Sequence, residues 1–65
     1  MHYLVLRRAG PHDEVRADRV EQRGETYVFL LRSRAVLRVP RAQVQEIEVL
    51  TARGWQPIRP PAWAG

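Results

Sequence analysis

Arginine is the residue type through which this chain could do chemistry. All eleven basic side chains are arginine, set against seven carboxylates, and the formal net charge is +4. A guanidinium is planar, always charged, and meets phosphate or carboxylate with two parallel N–H donors. The same all-arginine content is what codon bias in a GC-rich genome produces, and net charge alone speaks to association rather than to fold. Arg32, Arg34, Arg38 and Arg41 cluster in sequence and form the candidate nucleic-acid-contacting set. The hairpin argued below gathers them near one end of a sheet, where Arg16 and Arg19 are candidates to join them. Such contacts release counterions and grip the phosphate backbone without reading bases. The competing reading is a solvated face, because Asp18, Glu46 and Glu48 lie close enough in sequence to neutralise much of it.

Other chemistries are poorly supplied. His2 and His12 are the only neutral-pH bases, and both sit near a chain end or a turn. No Ser–His–acid order, metal-ligand spacing or phosphate-binding glycine loop is present. His12-Asp13-Glu14 reads as a solvated turn before it reads as a cation site. The chain has no cysteine, which removes disulfides and thiolate metal sites. The expectation is a protein that is not an enzyme, with no catalytic residue, no cofactor and no metal. Asp18, Glu21, Glu46 and Glu48 are expected on solvent faces.

A second candidate surface is apolar. Tyr27, Val28 and Leu30 belong to a run apolar on both faces, and Trp55 and Trp63 bracket Pro57-Ile58-Arg59-Pro60-Pro61. Pro57 and Pro60 have the P-x-x-P spacing of polyproline II ligands, and tryptophan is a common interface anchor. Trp beside Arg could also stack on bases. The bland alternative is that the tail folds back over the domain, Trp55 first. These five residues, Tyr27, Val28, Leu30, Trp55 and Trp63, are the candidate interaction surface.

The elements that must position these residues are strands. In Glu25–Leu31, Tyr27, Phe29 and Leu31 alternate with Val28 and Leu30, and Ala35–Val39 follows after Arg32-Ser33-Arg34. Aromatic and β-branched residues suit a pleated, buried surface, so the pair reads as a hairpin. Its turn lacks glycine and asparagine, which predicts a looser type I loop rather than a primed two-residue turn. Tyr3–Arg7 reads as a first strand, ended by the Gly10-Pro11 cluster. In Glu14–Gln22, Val15 and Ala17 share a face that Val20 leaves, which predicts a bulge or bend near Asp18–Arg19. Arg23-Gly24 is the clearest tight turn. Pro40–Leu50 has two readings. One is a helix over Pro40–Arg53 capping a four-stranded sheet; the other, favoured by β-branched Val44, Ile47, Val49 and Thr51, is a 3₁₀ turn at Pro40–Gln43 and then a strand. Gln56–Pro61 reads as extended or polyproline II.

Sixty-five residues make one domain, burying only about 60% of the surface its unfolded chain exposes. A small core without staples leans on packing or on self-association. Met1–Leu6 runs straight into Arg7 and Arg8, unlike a signal peptide, and nothing approaches a membrane span. A cytoplasmic location without membrane association is the default expectation.

Val39-Pro40-Arg41-Ala42-Gln43-Val44-Gln45-Glu46-Ile47 resembles the end of an SH3-like small barrel, where a one-turn 3₁₀ helix separates strands four and five. The order of a first strand, a bent second strand, a glycine turn and an apolar third strand agrees over about residues 2–50. Tyr27–Arg32 looks like the third strand of Sm-like proteins, including Hfq-like RNA chaperones, and Arg41 falls near their basic RNA-contacting loop. The glycines of the Sm second strand, the asparagine of the following loop and the N-terminal helix are absent. The layout is also similar to short uncharacterised proteins of actinobacteria and their phages, with an Ala17-Asp18 step, a Gly turn and Pro-x-x-x-Val; that similarity implies no function.

These readings combine into an all-β, five-stranded SH3-like small barrel at residues 1–50 with a Pro/Trp-rich tail at 51–65. The expected role is a binding module, first for assembly as a homo-oligomer or with a protein partner, and alternatively for nucleic acid.

Overall fold

The computed structural model describes residues 1–58; Trp63 and the second half of the P-x-x-P spacing lie outside the described residues. The strands are β1 (His2–Arg7), β2 (Asp13–Arg16), β3 (Arg19–Arg23), β4 (Thr26–Leu31), β5 (Arg34–Pro40), β6 (Val44–Thr51) and β7 (Gly54–Pro57), with a 3₁₀ turn at Arg41–Gln43. They form two antiparallel sheets, ordered β2-β1-β6-β7 and β3-β4-β5. Among the described residues the protein is therefore all-β, but with seven strands where the sequence reading has five, and the two sheets do not close into a barrel.

The expected bend is the corner between the sheets. Ala17 donates its N–H to Met1 O, just ahead of β1 in the first sheet (2.9 Å), and the next residue, Asp18, donates to Leu30 O of the second (2.7 Å). The phase shift between Val15 and Val20 marks a strand that leaves one sheet as β2 and enters the other as β3. Both valines thereby face one core, Val20 within it and Val15 packed against it.

That core draws on both sheets. Tyr3, Val5, Val44 and Ile47 of the first meet Val20, Phe29 and Val39 of the second, with Ala17 at the corner. Phe29 and Val5 are fully buried. The Tyr3 and Phe29 rings meet edge to face, centroids 5.4 Å apart, the arrangement the ring quadrupole favours.

The favoured reading of residues 40–51 stands. Pro40 precedes the 3₁₀ turn, and Val44 starts the longest strand, which pairs with β1 from Tyr3↔Val49 to Arg7↔Val44. A helix would have left β1 without this partner. Beyond Thr51 the composition changes but the sheet continues. β7 returns along β6 with Leu50↔Trp55 and Glu48↔Pro57 in register, so Gln56 and Pro57 lie in a strand rather than in a free polyproline segment. Ile58 extends the ladder by donating to Ile47 O (2.9 Å).

The β4–β5 turn departs from expectation. Leu31 pairs with Arg34, so the loop has two residues, Arg32 and Ser33, and both have positive φ (52° and 67°). That is the primed geometry whose twist matches the flanking strands, adopted by residues that ordinarily avoid it. Asp18 explains how it holds: its Oδ2 accepts the Arg32 N–H at 2.8 Å. At the β3–β4 turn Gly24 supplies positive φ (60°) at the first of two loop positions.

Candidate anion-binding groove

The Asp18 clamp fixes the tip of the β4–β5 hairpin beside the end of β2. Arg16, Leu31, Arg32, Arg34 and Val36 line one open groove there, of about 520 Å³, within the range of small-ligand sites. The register slips between Phe29 and Leu30, which pair with Leu37 and Ala35. Val36 is thus an extra residue of β5, a bulge, and it stands 46% exposed. Bulges re-aim side chains next to sites, and this one places an aliphatic group among the arginines.

The guanidinium groups of the groove have no ion-pair partner among the described residues. Among the described residues the ion pairs are Arg7–Asp13, Arg19–Glu21 and Arg23–Glu21, and none involves Arg16, Arg32 or Arg34. The nearby Asp18 carboxylate is engaged by the Arg32 backbone rather than by a guanidinium. Asp18 is exposed, as a solvent-face charge should be; it also clamps the turn, and its carboxylate leaves one negative charge at the edge of the groove. It also bears on Tyr3, whose phenol is pushed up from its ordinary value first by burial and then by the Asp18 charge.

The four arginines clustered in sequence do not gather at one end of the sheet. Arg32 and Arg34 flank the hairpin tip. Arg38 pairs across β4 with Val28 and alternates with Leu37 and Val39, so it lies on the outer face of the second sheet. Arg41 sits beyond the far end of β5, where its N–H donates to Glu25 O (2.7 Å). Seven steps of chain separate it from Arg34, about 23 Å at the usual rise. Arg16, far from the cluster in sequence, joins the groove; Arg19 instead forms a ladder with Glu21 and Arg23.

The candidate interaction surface divides as well. Val28 and Leu30 are each only 3% exposed, although neither belongs to the central core. Their neighbours in register are Glu21 and Arg38, and Arg19 and Ala35, long side chains among them whose stems can lie over apolar ground. Tyr27 packs against the core and is half-buried. These three do not form an open apolar face. Trp55 is half-buried on β7.

His2 and His12 are exposed, and among the described residues no group of three or more His, Asp or Glu stands close enough to hold a metal ion. No helix among them is long and apolar enough to cross a membrane. Comparison of the chain with protein-family models, with curated proteins and with solved structures finds no match.

Proposed function

We propose that this chain is a non-enzymatic binding module that grips the phosphate backbone of a nucleic acid in the groove at the β4–β5 hairpin tip. The observation that carries the reading is the grouping of Arg16, Arg32 and Arg34 around one open groove with no carboxylate partner among the described residues. Unpaired guanidinium groups are poised for charge-assisted, bidentate contact with phosphate oxygens. Leu31 and Val36 between them offer apolar ground for a sugar or a base. Burial of Val28 and Leu30 takes two of the five residues out of the candidate interaction surface, which favours the nucleic-acid reading for the groove. The finer fold reading is an SH3-like small barrel left open; the bent β2–β3 strand, the β4–β5 hairpin and the 3₁₀ turn before β6 support it.

The test is fluorescence anisotropy with a mixed-sequence single-stranded oligonucleotide over a salt series. Three phosphate contacts predict a log–log salt slope of about −2. Arg16→Glu with Arg34→Glu is expected to weaken binding by at least about tenfold with an unchanged melting temperature. Arg41→Glu, at the other end of β5, is expected to do much less. Equal losses from the two variants would reduce the groove to general charge, and unchanged affinity in both would end the proposal.

A further inference from the structure

The face of the first sheet that turns away from the core has a different character from the groove. Tyr3 and Val5 of β1 and Ile47 of β6 point into the core, with Val15 and Val49 packed against it, so strand alternation sends Leu4, Glu14, Glu46, Glu48 and Leu50 outward. The register sets Leu4 between Glu14 and Glu48, and Leu50 beside Trp55. Among the described residues none of these three carboxylates forms an ion pair. Leu50 is 45% exposed, and Leu4 and Trp55 are half-buried. The strands of this face carry three carboxylates against one guanidinium, Arg16, which the same alternation sends outward beside Glu14, and Leu4, Leu50 and Trp55 add apolar surface that water solvates poorly.

The outer face of the second sheet is its complement. β3 sends Arg19, Glu21 and Arg23 outward, and β5 sends Arg38. These flank Val28 and Leu30, which are closed off from solvent though they point away from the core. Three guanidinium groups stand there against one carboxylate. Because the two sheets share one core, these two faces lie on opposite sides of the molecule.

We propose that the acidic, apolar outer face of the β2-β1-β6-β7 sheet is a docking surface for the arginine-bearing outer face of the β3-β4-β5 sheet of a second copy of this chain. Charge complementarity sets the pairing. Glu46 and Glu48 receive guanidinium groups, Trp55 offers its ring face to one of them, and Leu50 leaves water. Glu48 supports the assignment: desolvation first, and then the hydrogen bond and charge of Glu46, push its carboxyl up in the single chain, a repulsion that a partner's cation relieves. The contact is head to tail, so each added copy leaves one face of each kind open, and the assembly grows or closes into a ring rather than stopping at a two-fold dimer. Arg16 belongs both to this face and to the hairpin-tip groove, but the docking residues are Glu46, Glu48, Leu50 and Trp55, and the inference does not rest on what that groove binds.

Sedimentation velocity on the full chain, cleared of nucleic acid by nuclease and high salt, tests this. At low ionic strength the mass is expected to rise with concentration past that of a dimer, and to fall to a monomer at about 1 M salt, where charges are screened beyond about 3 Å. Glu46→Arg with Glu48→Arg, and separately Arg19→Glu with Arg38→Glu, are each expected to stay monomeric alone and to associate when mixed. Leu50→Arg, at an exposed position that folding does not depend on, is expected to abolish growth by itself. A wild-type chain that stays monomeric at every concentration, or a dimer indifferent to all three changes, would overturn the proposal.

Discussion

Glu48 and Glu21 are both glutamates on outer sheet faces, yet their surroundings drive them in opposite directions. The Glu48 carboxyl lies above its ordinary value near 4.5, through desolvation and then through Glu46. The folded state therefore keeps a proton that the unfolded chain has released, and stability declines as pH rises from the ordinary value through the raised one. Glu21 is held below its ordinary value by hydrogen bonds from Arg19 and then Arg23. Its contribution is present above the ordinary value and is lost as pH falls through the lowered one. Glu48→Gln is expected to flatten the decline of melting temperature on the alkaline side of the ordinary glutamate value, and Glu21→Gln to flatten the loss on its acid side. Denaturation followed by circular dichroism across acid pH checks both; identical profiles for the two variants would contradict the assignment. Both residues read as solvated charge in the sequence, yet what separates them is local: alternation puts Arg19 and Arg23 on the same face as Glu21 along β3, and Glu46 on the same face as Glu48 along β6.

At the scale of the element, the β4–β5 hairpin holds the most information. Its apolar alternation was plain in the sequence and its turn was not. Arg32 and Ser33 carry none of the residue preferences of a primed turn, and the hydrogen bond that holds them comes from Asp18, fourteen residues earlier. Left-handed backbone costs a non-glycine residue about 1–2 kcal/mol. Ser33→Gly is therefore expected to stabilise the fold by up to about 1 kcal/mol, a rise of roughly 4–8 °C in a domain of this size. Oligonucleotide affinity should be retained, because the lining arginines remain. A thermal melt that falls for Ser33→Gly would mean that the turn carries no such strain. The β1–β6 pairing teaches the converse. There β-branched residues outweighed a competing helical spacing, and the structure agrees because β1 needs a partner on its second edge.

For the whole molecule, the economy of the core is the controlling fact. There is no cysteine, and among the described residues two small sheets hold together around eight buried apolar residues. Phe29 touches both halves through Tyr3. Truncating such a ring typically costs about 3–5 kcal/mol, most of the stability a domain of this size possesses. Phe29→Ala is expected to leave the chain largely unfolded at room temperature by near-UV circular dichroism and by urea titration; a cooperative transition near the wild-type midpoint would show that the sheets are held elsewhere. The same thinness bears on charge. With few residues to bury, long arginine and glutamate side chains must cover both outer faces, and their segregation, acidic on one sheet and basic on the other, makes those faces complementary.

The sequence by itself determined the class of fold. Alternation, β-branching and glycine placement are local, and they marked β1, a bend near Asp18–Arg19, the β4–β5 pair and the turn before Val44, though not β7. It also determined that arginine is the chemistry on offer. Only the tertiary structure decided which arginines act together. A sequence cluster runs along a strand at over 3 Å per residue, so Arg34 and Arg41 end far apart, while Arg16 comes beside the hairpin from another sheet. It decided, too, that Val28 and Leu30 are closed to partners. An outward apolar residue is exposed or covered according to the length of its neighbours across the strands, and no local pattern records who those neighbours are.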